Sequence, residues 1–202
     1  TKFNWGAFRS FKDKYVVAIA LVGFVFFAVY AGVNAIVNLS LEMRFAGEFN
    51  KAVAGLVSAV LGSGIILGGI FGGRVLDRLG KQKAIWAALL TSLTACLVFA
   101  FIPNPGWAWG VVFVVGLSFG VQQTIIFALS MNATDTRIAA SMYSILMAVT
   151  NVAQAVGMFL SASLTDGIGF VWVFVVMGAI NLLSIPFIRT IHRGKNQIEP
   201  VA

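Results

Sequence analysis

Six long apolar stretches, separated by short polar or glycine-containing segments, dominate the pattern of hydrophobic and polar positions along the chain. The apolar residues run almost continuously within each stretch and do not alternate with polar ones, as they would in the strands of a membrane barrel. A helix needs roughly 20 apolar residues to cross the hydrocarbon core of a bilayer. The pattern therefore predicts an all-α integral membrane protein with six transmembrane helices, at about residues 15–39, 52–73, 84–102, 107–131, 138–164 and 167–188.

The same pattern divides the chain into three parts. Residues 15–189 form the predicted six-helix transmembrane domain, and residues 190–202 form a basic tail. Residues 1–14 precede helix 1 and mix aromatic with basic residues at a spacing near three, which is typical of a short helix lying at the lipid headgroups. A flexible linker whose aromatic residues anchor helix 1 explains this segment equally well.

Composition and charge agree with membrane insertion. The chain is 59% hydrophobic and only 10% charged, whereas soluble domains carry about 25% charged residues. All lysines and arginines except Arg44 and Lys51 fall on one side of the six predicted crossings. The positive-inside rule then places both termini in the cytoplasm, as expected for a multi-pass protein of a prokaryotic inner membrane. The net charge of +7 is thus explained by topology, and nucleic acid is not an expected partner.

One charged segment interrupts the apolar pattern between the second and third predicted helices. It holds a carboxylate between two arginines, although a cytoplasmic loop requires only Lys and Arg. Two physical roles suit the carboxylate: it can pair with the adjacent arginines, or it can face the positive N-terminal end of another helix. The residues concerned are Gly73, Arg74, Asp77, Arg78, Gly80, Lys81 and Lys83.

This segment resembles G-x-x-x-D-R-x-G-R-[RK]-[RK], the signature between the second and third helices of a repeat in the major facilitator superfamily. Lys81 stands where Arg is usual, and Gln82 departs from the basic consensus. The resemblance implies a six-helix half of a transporter, built as two inverted three-helix repeats. It also implies that the segment is a conformational latch, whose aspartate contacts a neighbouring helix end and releases it as the transporter changes facing. The matching positions are Gly73, Asp77, Arg78 and Gly80.

Further features bear on which half of such a transporter the chain is. Helix 4 carries no charge and helix 5 is not rich in Gly and Pro, so the resemblance favours the C-terminal half, helices 7–12. The residues Asp135, Thr136 and Arg137 stand where we expect the second repeat's counterpart of the latch. The stretch from Leu164 to Gly169 also looks like superfamily sequence.

Neutral polar residues inside the predicted helices are the candidates for contact with a solute. Helix-to-helix hydrogen bonding explains each of them equally well, because an unsatisfied amide in lipid costs several kcal/mol. The first helix of each repeat lines the cavity in this superfamily, so the resemblance favours Asn34 and either Gln122 or Gln123. Their neutrality points to a polar or amphipathic solute rather than a strong anion. The full set is Tyr30, Asn34 and Asn38 on helix 1, Gln122 and Gln123 on helix 4, and Asn151 and Gln154 on helix 5.

Catalytic, metal and redox chemistry find no support in the chain. Cys96 is the only cysteine and His192 the only histidine, so no disulfide, metal site or cofactor is expected, and no enzyme motif is present. No ionisable residue lies inside the six predicted spans. A proton carrier must therefore lie in a partner half, or the protein is a uniporter, or it does not transport.

Two functions remain at this point. The first is secondary active or facilitative transport of a small solute by alternating access. A second six-helix half would then come from the same polypeptide, from a separate chain or from an identical one. The alternative is a non-transporting, superfamily-like subunit or assembly factor in a larger membrane complex. Membrane lipid is an expected partner in both cases.

Overall fold

The computed structural model describes residues 13–132 and 139–194; most of these residues are helical, and none of them is in a strand. Four of the described segments are long and apolar enough to cross a membrane: Lys14–Arg44, Ala54–Ala100, Pro105–Asn132 and Ala140–Ile191. The prediction of an all-helical membrane protein is therefore confirmed. The helices are α1 (Lys14–Arg44), α2 (Ala54–Ala100), α3 (Pro105–Asn132), α4 (Ala139–Ile180) and α5 (Ile185–Gly194), with a 3-10 turn at Asn181–Ser184.

Two of these helices contain a glycine at which the helical backbone is interrupted. Gly80 in α2 has φ 74° and ψ 164°, and Gly169 in α4 has φ 74° and ψ 163°. Only glycine adopts this combination without strain, because a Cβ atom would collide with the adjacent backbone. At about 1.5 Å per residue, α2 would be about 70 Å long if it were straight, roughly twice the thickness of a bilayer core.

Small residues let α2 and α3 approach each other closely. A Cβ atom at Gly68 would overlap the carbonyl oxygen of Leu117, and one at Gly120 would overlap the carbonyl oxygen of Ile65. Glycines spaced four residues apart lie on one face of a helix, as this contact requires. Gly110 lies outside the contact, because nothing lies within 4 Å of a Cβ atom placed there. The glycines in close contact are Gly64, Gly68, Gly72, Gly116 and Gly120.

The contact between α1 and α4 has the same character. A Cβ atom at Gly157 would overlap the carbonyl oxygen of Ala28, and one at Gly32 would lie 2.8 Å from the carbonyl oxygen of Gly157. Two helix pairs, α2 with α3 and α1 with α4, therefore meet backbone to backbone. Van der Waals packing of this kind holds helices together in lipid, where burial of apolar surface supplies no driving force.

Apolar side chains fill the space between the helices in two clusters. One cluster surrounds the C-terminal half of α1 and includes Phe99 and Phe174, whose ring centroids are 4.4 Å apart. The other surrounds the N-terminal half of α1 and includes Ile85 and Ile188. Both clusters contain residues of α2 that follow Gly80, Phe99 in the first and Ile85 in the second, together with residues of α3.

Local sequence explains several helix boundaries. Asp13 precedes α1, and its Oδ1 accepts a hydrogen bond of 2.8 Å from the backbone N–H of Tyr15. Pro105 opens α3, a position where its missing N–H is not needed. The 3-10 turn at Asn181–Ser184 ends two residues before Pro186, whose ring prevents a regular hydrogen bond to the previous turn.

Some predictions fall outside the described residues. They concern residues 1–12, the counterpart of the latch at Asp135, Thr136 and Arg137, and the tail from residue 195 onwards. These stay predictions, as do the boundaries of the three parts of the chain.

Candidate functional site

The charged segment after Gly73 is not the loop that the sequence predicts. Helix α2 continues through Arg74, Asp77 and Leu79, and only Gly80 departs from helical geometry. Nothing lies within 4 Å of a Cβ atom at Gly73, so this glycine makes no close contact with another described helix. A single residue interrupts the helix here, because the glycine backbone alone adopts the non-helical angles.

The charges of this segment point away from the described helices. Arg74, Asp77, Arg78, Lys81 and Lys83 are all exposed. Asp77 makes no ion pair or hydrogen bond with any described residue, so the suggested pairing with its neighbouring arginines does not occur in this structure. Its carboxylate is therefore available to a group outside the described residues.

The polar candidates of α1 have three different environments. Tyr30 is half-buried, and its ring meets that of Phe119 edge to face with centroids 5.0 Å apart. Asn38 donates a hydrogen bond of 3.3 Å from Nδ2 to Oγ of Ser58. Asn34 is exposed and makes no hydrogen bond within the described residues. Of the three, Asn34 alone has an unoccupied amide on the surface of this half.

The two adjacent glutamines of α3 separate into an internal residue and a surface residue. Gln122 is 2% exposed, and its Nε2 donates to Oδ1 of Asn181 at 3.3 Å. Oε1 of Gln122 has no partner. Gln123 is partly exposed and makes no hydrogen bond within the described residues. Gln122 therefore ties α3 to the 3-10 turn, and Gln123 remains free.

Asn181 is a residue that sequence reasoning missed. It is fully buried, and its Nδ2 donates to the carbonyl oxygens of Gly178 at 3.3 Å and Met177 at 3.5 Å. An amide in the middle of an apolar stretch, five residues before Pro186, is the signal that could have identified it. A proline in a membrane helix frees backbone groups that polar side chains then satisfy.

The candidates on α4 lie on the outside of this half. Asn151 is exposed and Gln154 is partly exposed, and neither makes a hydrogen bond within the described residues. No two of the seven predicted solute contacts are joined by a hydrogen bond in the described structure. Four of them, Asn34, Gln123, Asn151 and Gln154, thus leave amide groups available to a solute, to water or to another helix.

Arg44 is a second residue without a predicted role. Its Nη1 donates to the carbonyl oxygen of Phe99 at 3.2 Å and its Nη2 to that of Ile102 at 2.9 Å. Its guanidinium carbon also lies 5.5 Å from the ring centroid of Phe45. A cation at the last carbonyl groups of a helix is favourable, so Arg44 fastens the end of α1 to the end of α2.

The described residues offer no metal-binding chemistry. Within them, no group of three or more His, Cys, Asp or Glu side chains could hold a metal ion, and Cys96 is a buried free thiol. What the arrangement provides is neutral hydrogen-bonding groups on apolar helices and one exposed carboxylate beside a glycine turn.

Comparison with known proteins decides the family. The profile of the Major Facilitator Superfamily matches residues 2–149, which is most of the chain. The chain belongs to the Major Facilitator Superfamily. The resemblance to this superfamily that the sequence around Asp77 carries is thereby confirmed.

Named relatives include transporters of several kinds. The chain is 32% identical over 106 residues to a gentisate transporter of Corynebacterium glutamicum, covering 51% of this chain and 23% of the relative. It is 31% identical over 101 residues to the niacin transporter NiaP of Acinetobacter baylyi, covering 50% and 23% respectively. It is 25% identical over 150 residues to the multidrug resistance protein MdtG of Citrobacter koseri, covering 72% and 37%. The chain thus spans well under half the length of these relatives.

Proposed function

We propose that this chain carries a small organic solute across a membrane by alternating access, as one six-helix half of a Major Facilitator Superfamily transporter. The observation that supports this most strongly is the family match, which extends over helices long and apolar enough to span a bilayer. The relatives named above are transporters, and they do not favour the non-transporting alternative.

The proposal includes six spans arranged as two inverted three-helix repeats. Gly80 and Gly169 divide α2 and α4 into two spans each, with the same backbone angles at both turns. They lie 89 positions apart, and each follows an aspartate by three residues, Asp77 and Asp166. Repeats of inverted topology are common in secondary transporters, and each unit then meets the membrane from the opposite side.

Close contacts recur at the same spacing and support the repeat. Gly68 and Gly157 are also 89 positions apart, and each would overlap a carbonyl oxygen if it carried a Cβ atom. The carbonyl groups concerned belong to Leu117 and Ala28, which are again 89 positions apart. The contact of α2 with α3 therefore corresponds, residue for residue, to the contact of α4 with α1.

Burial recurs at this spacing as well. Along residues 81–100 and their counterparts 89 positions later, seven of the nine buried positions of the first segment coincide with buried positions of the second. The exceptions are Cys96 and Ala100, whose counterparts Ile185 and Arg189 are not buried. Two equivalent units bury equivalent residues in this way. The buried pairs are Ala84 with Val173, Ile85 with Phe174, Ala88 with Met177, Leu89 with Gly178, Ser92 with Asn181, Ala95 with Ser184 and Phe99 with Ile188.

A second six-helix half completes the proposed transporter. Large apolar side chains such as Ile66, Ile70 and Phe159 are at least half exposed, and they need lipid or another helix bundle to cover them. The relatives are several times longer than their matched parts, so we propose that the second half lies in the same polypeptide and that this chain is the C-terminal half. The mass of the native polypeptide, near or above twice 21.6 kDa, tests this directly.

Charge sets the proposed orientation. Four basic residues are exposed around the Gly80 turn: Arg74, Arg78, Lys81 and Lys83. The only basic residues at the opposite ends of the described spans are Arg44 and Lys51. We place the Gly80 turn and both ends of the chain in the cytoplasm, in a bacterial inner membrane. Arg44 strengthens this assignment, because its charge is already engaged by backbone carbonyl groups.

The solute is proposed to be a small organic molecule that accepts or donates hydrogen bonds. The free amides of Asn34, Gln123, Asn151 and Gln154 can bind such groups, and no charged side chain lies in the predicted spans to neutralise an ion. Uptake by the full-length protein in proteoliposomes tests this. Gentisate, niacin and a panel of drugs are suitable probes, because the named relatives are a gentisate transporter, a niacin transporter and a multidrug resistance protein. Uptake of every probe at no more than the rate of liposomes without the protein would contradict the proposal.

Asp77 is proposed to act as the latch of this transporter. Its exposed carboxylate has no partner among the described residues, so it is free to contact a helix end of the other half. Asp77→Asn should lower the uptake rate while membrane insertion and amount stay unchanged. Glu48→Gln is a matched control, because Glu48 is another exposed carboxylate at the opposite end of the spans. Equal rates in both variants would remove Asp77 from the mechanism.

A further inference from the structure

Helices α1 and α3 cross in antiparallel directions at a pair of aromatic rings. A Cβ atom at Gly23 would lie 3.1 Å from Cγ2 of Ile126, while further along α1 the rings of Tyr30 and Phe119 meet at 5.0 Å. Residue numbers therefore fall along α3 as they rise along α1. Tyr30 and Phe119 are 89 positions apart, the same spacing as between the two glycine turns. Equivalent residues that contact each other must lie on the symmetry axis of the two repeats.

Asn34 and Gln123 are equivalent to each other by the same spacing. Each lies one helical turn after its ring, Asn34 after Tyr30 and Gln123 after Phe119. Because the helices are antiparallel, one amide lies on each side of the ring pair. At 1.5 Å per residue each amide is about 6 Å from the crossing, and the two are about 12 Å apart along the membrane normal.

Both amides lie on the surface of this half and lack partners, whereas the preceding equivalent residues are internal. Asn34 is exposed, Gln123 is partly exposed, and neither makes a hydrogen bond within the described residues. Val33 is 0% exposed and Gln122 is 2% exposed. An amide facing lipid without a partner costs several kcal/mol. A polar space between this half and its partner avoids that cost, and a path for a solute supplies such a space.

We infer that Asn34 and Gln123 are two equivalent hydrogen-bonding contacts for the solute, each open to a different side of the membrane. Asn34 lies toward the α1 end at Arg44, and Gln123 lies toward the α3 end at Asn132. The solute, a molecule with hydrogen-bonding polar groups, is held by one amide from each side and passes the ring pair between them. This inference rests on the proposed alternating access and adds which residues serve each face.

Cysteine labelling in sealed vesicles tests the inference without a known solute. The full-length transporter carries Asn34→Cys or Gln123→Cys in a background without other accessible cysteines, and it is treated with a membrane-impermeant maleimide from either side. Gly47→Cys and Gln82→Cys mark the two faces, because both residues are exposed at opposite ends of the spans. We expect residue 34 to react only from the face of residue 47, and residue 123 only from the face of residue 82.

Internal neighbours provide the matched controls. Val33→Cys and Gln122→Cys should resist the reagent from both faces, because these positions are buried. Reaction of residues 34 and 123 from the same face would overturn the inference. So would reaction with a lipid-soluble maleimide but not with the impermeant one, because the positions would then face lipid.

Kinetics separate solute contact from mere accessibility. Asn34→Ala should raise the KM of uptake more than the KM of efflux, and Gln123→Ala should do the reverse. Equal changes in the KM of uptake and the KM of efflux would contradict the idea that each amide contacts the solute from one face only. If the protein takes up a probe but both positions react from the same face, the proposed transport function stands and this inference is refuted.

Discussion

Replacement of Gly68 by alanine is the sharpest test of how the helices are held together. A Cβ atom at this position would overlap the carbonyl oxygen of Leu117 in α3, and backbone cannot move aside as a flexible side chain can. The α2 and α3 backbones must separate to admit the methyl group. Gly62 lies in the same helix, yet nothing lies within 4 Å of a Cβ atom there. Gly62→Ala is therefore a control with the same chemical change and no steric cost.

The two variants should change stability in opposite directions. Alanine is favoured over glycine inside a helix by up to about 1 kcal/mol, which applies to both positions. Overpacking of a close contact costs about 1–3 kcal/mol, and this applies to Gly68 alone. At the upper end of the overpacking cost, less the helix gain, we expect Gly68→Ala to lower the free energy of unfolding by about 2 kcal/mol. Gly62→Ala should raise it by about 0.5–1 kcal/mol.

Thermal unfolding of the full-length protein in detergent measures the difference. Gly68→Ala should lower Tm and Gly62→Ala should leave it unchanged or raise it slightly. Gly157→Ala is a second test, because a Cβ atom there would overlap the carbonyl oxygen of Ala28. If Gly68→Ala is as stable as Gly62→Ala, the close contact does not limit packing and the reasoning is refuted.

Three further substitutions test other contacts. Arg44→Ala removes two hydrogen bonds to carbonyl oxygens at the end of α2 and should lower the free energy of unfolding by about 1–2 kcal/mol. Unfolding in detergent measures this, and an unchanged free energy would show that the contact does not stabilise the protein. Gly80→Ala should cost about 1–3 kcal/mol because its φ is 74°, whereas Gly73→Ala, in helical backbone with open space around it, should cost nothing. A double-mutant cycle of Gln122→Leu and Asn181→Leu should give a coupling of about 0.6–1.7 kcal/mol, and additive effects would exclude a significant bond.

The membrane class of the protein and its family could be predicted from local sequence. An apolar run of sufficient length must be buried in lipid or protein whatever its neighbours are, so long apolar helices follow from the hydrophobic pattern. That pattern predicts six spans, and the described residues form four helices long and apolar enough to cross a membrane. The pattern around Asp77 and Gly80 resembles the family's signature, and its glycine could be placed from local sequence because a single residue supplies the non-helical backbone there. Close packing at Gly68 could also be foreseen, since glycines repeated every four residues lie on one face of a helix.

The site depended on contacts between residues far apart in the chain. The sequence treats Gln122 and Gln123 alike, but tertiary packing buries the first against Asn181 and leaves the second at the surface. Asn34 and Asn38 differ for the same reason, because Ser58 happens to lie within reach of Asn38 alone. Whether an amide is a packing contact or a solute contact is decided by its neighbours, which no local pattern records.

Helix ends and turns show the same division. The chain by itself determined that residues 73–83 leave the apolar pattern and that glycines occur there, because hydrophobicity and backbone freedom are properties of single residues. Only the folded structure decided that α2 runs on to Leu79, that Gly80 alone makes the turn, and that Gly169 repeats its angles. The spacing that links these two glycines also links contacting pairs such as Tyr30 and Phe119. Part of that correspondence is visible in the sequence, at Asp77 with Asp166 and at Gly80 with Gly169, but most equivalent positions differ in residue type and share only burial or contact, which the folded structure decides.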